Sequence, residues 1–558
     1  MMVRVDKAIL DSFLEEQQDL TAVERFARRH EDHTLPQGES RYRELIPRTT
    51  PGPGQQYAFE VNLDQCTGCK ACVTGCHNEN GLDENETWRS VGLVHGGTSE
   101  APALQHITTA CHHCLEPACA SGCPTKAYEK DPETGIVRHL DDQCFGCQYC
   151  ILKCPYDVPK YNKKRGIVRK CDMCIGRLKA GEAPACVRAC PNEAIRITLV
   201  ETSAVRTRPS DYVAVPDAPD SRYTLPATQY KTAKKFPSNM VSIDYHSISP
   251  EHSHLPLVIM LVLTQLSVGT FLAEWIFKSY VQQTFNNVLV PFHVLVALGA
   301  GLLALGASIF HLGRPLYAYR AILGIMTSWL SREILAFGIF AGLASVYALC
   351  FWAQPVEKLL SPFLGGSLDL LGVAVFLSGV LGVFCSVMVY KDTHRPFWDH
   401  HFTTGKFFLT MLILGFATVL LISMTVTIAN PSLPLSAAMP AFGNISCLVI
   451  GIATTIKLIL EAVIFFHLGD RDLTFFKKTA ILMSLQLKDV TLRRFACGVV
   501  GGIFLPFSLL ALNQLGGGVL MLGLTVLIFV LLLAGELMER YLFFRAVVPL
   551  KMPGGHVS

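Results

Sequence analysis

Sixteen of the 20 cysteines lie between Cys66 and Cys190, in four groups of four. They are Cys66, Cys69, Cys72 and Cys76 in CTGCKACVTGC; Cys111, Cys114, Cys119 and Cys123 in CHHCLEPACASGCP; Cys144, Cys147, Cys150 and Cys154 in CFGCQYCILKCP; and Cys171, Cys174, Cys186 and Cys190 in CDMCIGRLKAGEAPACVRACP. Thiolates are ligands for soft and borderline metals. A Cys-x-x-Cys-x-x-Cys turn wraps three of them around one face of a [4Fe-4S] cubane, and a remote fourth, usually followed by proline, leads away to a neighbouring cubane. Pro124, Pro155 and Pro191 follow the fourth cysteine in three groups, and His77 takes that place in the first. Structural zinc is built from two Cys-x-x-Cys pairs, which leaves three consecutive thiolates at i, i+3 and i+6 unexplained. A [3Fe-4S] cluster would show a missing cysteine, and none is missing. The pattern predicts four [4Fe-4S] clusters.

The elements that must hold these ligands occupy less than half of the chain. With 558 residues and 50% apolar composition, one ordinary core does not suffice. The net charge of +3 and the lack of a basic stripe interleaved with aromatics give a nucleic-acid partner no support. Residues 1–56 are polar, with Ile9, Leu10, Phe13, Leu20, Val23 and Phe26 at roughly helical spacing before the turn-rich PGPG at 51–54. They predict an N-terminal helical arm, packed on its own domain or docked on a partner subunit. Residues 57–200 carry the cluster domain. Residues 201–254, with Pro209, Pro216, Pro219, Pro226, Pro237 and Pro250 among polar residues, predict an extended Pro-rich linker.

From Leu255 the composition becomes strongly apolar. Stretches near 255–277, 288–310, 334–354, 368–390, 407–429, 446–467, 496–513 and 518–538 approach or exceed the ~20 residues that a helix needs to cross a bilayer. Eight in series predict an anchor over 255–541, followed by a C-terminal tail at 542–558. If odd crossings leave the head's side, fifteen Lys and Arg fall in loops on that side, from Arg314 to Lys551, and only Lys278 and Lys358 on the other. Basic residues are retained in the cytoplasm, so the head and both termini are expected there. The opening residues have no apolar signal region, and none follows Arg28 and Arg29, which points the same way. In that compartment a disulfide framework is disfavoured.

The head, over roughly 57–200, resembles the four-cluster ferredoxin subunits of the dimethyl-sulfoxide-reductase family of molybdenum enzymes. The resemblance implies that the first group shares clusters with the fourth, and the second with the third. One cluster would then be held by Cys66, Cys69, Cys72 and Cys190, and another by Cys171, Cys174, Cys186 and Cys76. The other two would use Cys111, Cys114 and Cys119 with Cys154, and Cys144, Cys147 and Cys150 with Cys123. The anchor is similar to the eight-helix anchor subunit of the same family in LPLVIMLVLTQLSVGTF (255–271), HLGRPLYAYRAILGIMTSWLSREI (311–334), KFFLTMLILG (406–415) and LLLAGELMER (531–540). The expected fold is thus an α+β double ferredoxin-like iron-sulfur head fused to an all-α eight-helix transmembrane bundle.

A head that carries single electrons needs a two-electron partner in the membrane. Stacked b haems need axial histidines at two depths. Only His293 lies near the far face, whereas His311, His394, His400, His401 and His467 lie at the head's face, which favours directly bound quinone, menaquinone or ubiquinone, and no haem. The resemblance places the quinol site on His311 and Glu333, and Arg332 is expected beside them. An imidazole and a carboxylate are apt acceptors for the two protons of a quinol. In the bland alternative His311 ends a helix at the headgroups and Glu333 caps the next one. Arg314, Asp392, Trp398 and His400 are candidates for lining the pocket, and Glu536 for a supporting role. Lys457 and Glu461, four apart within one crossing, are placed to pair on one helix face, either structurally or on a proton route.

These features predict an electron-transfer and membrane-anchor subunit that oxidises quinol and passes electrons to a molybdopterin-containing reductase of nitrate, sulfoxide or another oxyanion. The rivals are the reverse direction, with a formate- or hydrogen-oxidising partner reducing quinone, and a membrane tether without redox function.

Overall fold

The computed structural model describes Glu24 and residues 42–84, 86–278, 283–352, 368–399, 401–430, 442–512 and 518–554. The expected helical arm falls almost entirely outside the described residues, as does Lys358. In the head, strand β1 (Gln55–Asn62) buries Gln56, Tyr57, Ala58, Phe59 and Val61. The later strands are β2 (Ser90–Gly97), β3 (Pro102–Thr109), β4 (Tyr128–Lys130), β5 (Val137–His139), β6 (Lys160–Asn162), β7 (Ile167–Arg169), β8 (Ile195–Glu201), β9 (Gln229–Lys231) and β10 (Val241–Ser242). They form a sheet β8-β1-β9, a sheet β10-β2-β3 and the hairpins β4-β5 and β6-β7.

This pairing is what gathers the cysteine groups. β1 ends four residues before Cys66 and β8 starts five after Cys190, so their antiparallel register, Val61 opposite Ile195, brings the first and last groups to one end of the sheet. In the same way Tyr128 opposite His139 brings Cys123 beside Cys144. Lys160 opposite Arg169 sets Cys154 and Cys171 at the open end of the other hairpin.

The stretch expected as an extended linker is instead folded onto the head. It forms a helix at Thr202–Thr207, β9 pairs in parallel with β1, and β10 pairs with β2. Its prolines fall outside both short strands, where no ladder N–H is required. The C-terminal tail also returns to the head. Met552 is buried in the core around β1 and β2, and Lys551 pairs with Asp244.

Among the described residues eight helices are long and apolar enough to cross a membrane: Leu255–Lys278, Asn287–Ile309, Trp329–Trp352, Leu368–Lys391, His401–Ala429, Asn444–Gly469, Lys488–Ala511 and Gly518–Arg545, the first to eighth crossings. The seventh begins at Lys488, well before the expected 496. Its charged first turns are accommodated because Arg494 is fully buried against carboxylates of neighbouring helices. The first and fifth crossings meet at Gly269 and Gly415, where a Cβ on either would enter the backbone of the other helix. Helices in a bilayer associate through such close approach rather than by expelling water. Gly415→Val is therefore expected to destabilise the bundle by about 1–3 kcal/mol or more, measured as a lower melting temperature in detergent, with Gly338→Val, which meets nothing within 4 Å, as the neutral control.

Candidate metal centres and their junction with the membrane helices

The first and third cysteine groups share one backbone turn. Gly68 and Gly146 both have φ +75°, and Lys70 and Gln148 both have φ +61°. Each turn runs directly into a helix, Ala71–Asn80 or Tyr149–Lys153. The sulfurs receive backbone N–H groups in matching positions: Gly146 donates to Cys144 and Met173 to Cys171, both at 3.4 Å, while Ala127 donates to Cys123 at 3.2 Å and Ala194 to Cys190 at 3.3 Å. Donors of this kind stabilise anionic sulfur. None of the sixteen cysteines is in a disulfide.

The thiols also show which of them are neighbours. Burial, followed by repulsion from Cys186, raises the Cys76 thiol to about 12, and Cys171 is raised by burial and then by Cys76. Cys66 is raised by burial and by Cys190 and Cys69. Cys114 and Cys119 are raised by burial and by Cys111 and Cys154. Cys147 and Cys150 are raised by burial and by each other's loop together with Cys123. One set, Cys111, Cys114, Cys119 and Cys154, lines a single small pocket.

Buried cations face the thiols. Arg89, 2% exposed, is held charged by Cys186, Cys72, Cys171 and Cys76 despite its burial, and its Nε and one Nη have no partner. Lys170, 3% exposed, donates to the carbonyls of Cys171 and Val137. A buried guanidinium with unused N–H groups needs negative charge close by. The donor set therefore fits anionic clusters ligated by thiolate.

The third cysteine group sits on the membrane helices. Arg314 N–H donates to the Phe145 carbonyl at 2.9 Å and Gly313 N–H to Gly146 at 3.4 Å. Gly146, Gly166 and Gly313 meet backbone to backbone, with no room for a Cβ on any of them. Arg314 also donates to the carbonyls of Asp141 and Arg165, and Arg320 to that of Asp142. Further round the interface Lys153 pairs with Asp392 at 2.7 Å, Tyr149 donates to the Val389 carbonyl at 2.8 Å, and Ser328 donates to the Gly122 carbonyl at 2.7 Å.

At this junction the imidazole of His311 is hydrogen-bonded to the backbone of Cys147, and burial pushes its pKa down to about 4. It is therefore neutral at ordinary pH, with one ring nitrogen able to accept a proton. Phe310, the residue before it, lines an apolar groove of about 760 Å³ between the first and second crossings, with Pro256, Ile259, Gly299, Leu303 and Gly306 among its other walls. Gly299 and Gly306 leave open space where side chains would stand. The groove's lining includes Leu255 and Phe310, the residues next to His254 and His311.

Glu333 is 3% exposed and accepts a hydrogen bond from Ser386 of the fourth crossing. It also acts electrostatically on Tyr149, which lies between Cys147 and Cys150. His311 and Glu333 thus approach the same cysteine loop from two helices. Arg332 turns back on its own segment, donating to the carbonyls of Ile325 and Met326 and lying 4.4 Å over Trp329. Asp392 and Arg314 serve the head's docking, and Trp398 is buried with its N–H on the Phe543 carbonyl. His400 lies outside the described residues.

Lys457 and Glu461 do not pair with each other. Lys457 donates to Thr410 at 2.5 Å and to Glu536, while Glu461 takes a two-pronged bond from Arg494 at 2.7 and 3.0 Å. Arg494 lies 3.1 Å from Glu536, and Arg540 donates to Glu539 at 2.6 Å and to Gln265 at 3.0 Å. Partners on other helices satisfy both groups more fully than each could satisfy the other. Glu536 belongs to this network and has no contact with His311 or Glu333 among the described interactions. Sequence reasoning missed Arg89, Tyr149, Lys153 and His254, and the one visible signal was the HSH run at 252–254 just ahead of the first crossing.

The DMSO reductase anchor subunit (DmsC) family matches residues 250–545. The chain belongs to that family. A 4Fe-4S dicluster domain matches residues 103–199. The head is 33% identical over 189 residues to the B subunit of the anaerobic dimethyl sulfoxide reductase of Haemophilus influenzae, covering 32% of this chain and 91% of the relative. It is 34% identical over 179 residues to the corresponding B subunit of Escherichia coli, covering 31% and 86%. It is also 38% identical over 156 residues to a hydrogenase-2 operon protein, HybA, of Escherichia coli, covering 23% and 48%. The chain is thus an iron-sulfur electron-transfer subunit fused to a DmsC-type anchor, and a multi-pass membrane protein.

Because three glycine backbones meet at the junction, Gly313→Val is expected to loosen the head from the helices by about 1–3 kcal/mol. Faster tryptic cleavage at Lys234 and Lys235, and a lower melting temperature for the head, would register it, with Gly313→Ala intermediate.

Proposed function

We propose that this chain oxidises membrane quinol, menaquinol or ubiquinol, beside His311 and Glu333 and delivers electrons to a molybdopterin-containing terminal reductase of a sulfoxide, nitrate or another oxyanion. The observation that carries the reading is the hydrogen bond between His311 and the backbone of Cys147, with Phe310, the residue before His311, lining an apolar groove between two membrane helices. A lipid-soluble substrate and a one-electron acceptor would meet there.

Sixteen cysteines would hold four [4Fe-4S] clusters: Cys66, Cys69, Cys72 and Cys190; Cys76, Cys171, Cys174 and Cys186; Cys111, Cys114, Cys119 and Cys154; and Cys123, Cys144, Cys147 and Cys150. When bound, the clusters supply one-electron stations from the membrane surface to the docked partner. The neighbour relations among the thiols and the cavity around Cys114 and Cys119 support this division. His311 would accept a quinol proton at its free ring nitrogen, and Glu333, held by Ser386, would orient or accept the second. Arg89 and Lys170 would offset cluster charge. Cys69 is exposed, which favours the first group's end of the head as the docking face. Head and termini would be cytoplasmic, on the side rich in basic loops. The likeness to HybA favours the reverse flow, from a hydrogen-oxidising partner to quinone, as the second reading.

Anaerobically purified protein should contain about sixteen irons per chain; a colourless protein with far fewer would overturn the cluster assignment. His311→Ala should slow cluster reduction by a quinol analogue roughly 10²-fold while dithionite reduction is unchanged, whereas a tether would be indifferent. Arg89→Met should lower midpoint potentials in an EPR redox titration, by on the order of 60 mV, a tenfold change for a one-electron couple. The sign follows because a buried positive charge favours the more negative, reduced cluster.

A further inference from the structure

We infer that His254 and His252 form the proton exit of the quinol site, carrying protons from His311 to water on the head's side of the membrane. The inference rests on the reading of His311 as a quinol-proton acceptor.

Three imidazoles stand in series. The His311 and His254 rings are 5.1 Å apart between centroids at 74°, and the His254 and His252 rings 4.9 Å apart at 70°. At this spacing a rotation of a ring or one intervening water would link the ring nitrogens. Exposure rises along the series, from half-buried His311 and His254 to exposed His252. His254 Nδ1 is buried and has no partner, so one ring nitrogen remains free to take up a proton. The His254 backbone N–H donates to His252 Nδ1 at 3.2 Å, which fixes the outer ring against the inner one.

His254 also holds a backbone position that its residue type does not favour. Its φ is +45°, in the left-handed region where glycine or asparagine would rest more easily, and its carbonyl receives the first N–H groups of the first crossing from Leu257 and Val258. Backbone held there at a cost is characteristic of functional positions. Facing His254 are His311 from the end of the second crossing, Arg395 from the loop after the fourth, Phe544 from the eighth at 5.6 Å, and His252. Burial, with those charged neighbours adding to it, depresses His254 to about 3. The imidazole is then neutral at rest and passes a proton on rather than storing it. Glu251, raised by burial, is faced by Arg395, Arg545, Lys551 and Asp157 and stands beside the series.

The step balances. Each quinol would give up two protons and two electrons, the electrons taken one at a time by the cluster that Cys123, Cys144, Cys147 and Cys150 would hold. For each proton that His311 takes, a quinol O–H bond breaks and an N–H bond forms on its ring. The proton then moves to His254, to His252 and to water, and all three rings return to neutral before the next.

The test uses the full chain with its clusters, in membranes, reduced by a short-chain quinol analogue in H₂O and D₂O across the pH range around neutrality. His254→Gln is expected to slow cluster reduction about tenfold or more, with KM unchanged, a larger solvent isotope effect, and recovery when imidazole is added. Iron content and dithionite reduction should match wild type. His252→Ala, at an exposed position, should show a smaller loss that concentrated buffer restores. Diethylpyrocarbonate labelling mapped by mass spectrometry should find His254 protected by a bound quinone analogue and His252 still reactive. Wild-type rates and isotope effects in both variants would overturn the exit, as would a loss in His254→Gln that imidazole fails to restore. If His254→Gln does not fold, His252→Ala decides alone. A wild-type chain that takes no electrons from quinol would overturn the quinol reading instead, whereas a slow His311→Ala beside fully active His254 and His252 variants would sink only the exit.

Discussion

Backbone meets backbone where the head rests on the membrane helices. Gly146 of the third cysteine loop, Gly166 of the β6-β7 turn and Gly313 after the second crossing leave no space for a single Cβ between them. That contact sets everything around it. It lets the His311 ring reach the backbone of Cys147, and it aligns Arg314, Arg320, Lys153 and Tyr149 with carbonyls and a carboxylate across the interface. Larger residues would separate a thiolate loop from a membrane histidine by the width of a side chain, and the chemistry proposed here depends on their proximity.

Buried charge is treated in two ways in the two halves. In the head Arg89 is fully enclosed and incompletely bonded, which makes sense beside anionic clusters. Among the crossings Lys457, Arg494 and Arg540 meet the carboxylates Glu461, Glu536 and Glu539, with Thr410 and Gln265 adding hydrogen bonds, although Arg494 Nη1 and Arg540 Nε have no partner either. An ion pair taken from water repays its desolvation only with good geometry and additional hydrogen bonds. The network supplies both, and it ties the first, fifth, sixth, seventh and eighth crossings together near the head's side. Arg494 stands on the seventh crossing and its carboxylate partners on the sixth and eighth, so the seventh inserted alone would carry that charge unpaired.

Much of the architecture was legible in the residues. Thiolate spacing and the length of apolar runs are local signals tied to rigid requirements, the geometry of ligation and the thickness of a bilayer, and the iron-sulfur head and eight crossings follow from them. The segment 201–254 was not legible, because its two short strands are stabilised by partners far away in sequence, β1 and β2, and not by a pattern of their own. Lys457 and Glu461 misled for the same reason: spacing along one helix shows which groups are able to meet, while their actual partners lie on other helices. The start of the seventh crossing was hidden by its charges, of which Arg494 is buried against carboxylates of other helices while Lys488, Asp489 and Arg493 are exposed. His254 carried only a weak mark, since a histidine run before a membrane helix looks the same whether it faces headgroups or a neighbouring ring.

The dimethyl sulfoxide reductase B subunits match the head alone, whereas here head and anchor are one polypeptide joined twice. The segment before the first crossing is woven into the head's sheets, and the residues after the eighth return to it, with Met552 in its core. Two tethers hold the surfaces at a local concentration no longer set by how much of each the cell makes. Assembly becomes part of folding, and every anchor is made with one head of its own. The junction itself can then remain small, polar and dependent on glycine, because it no longer has to find its partner by diffusion.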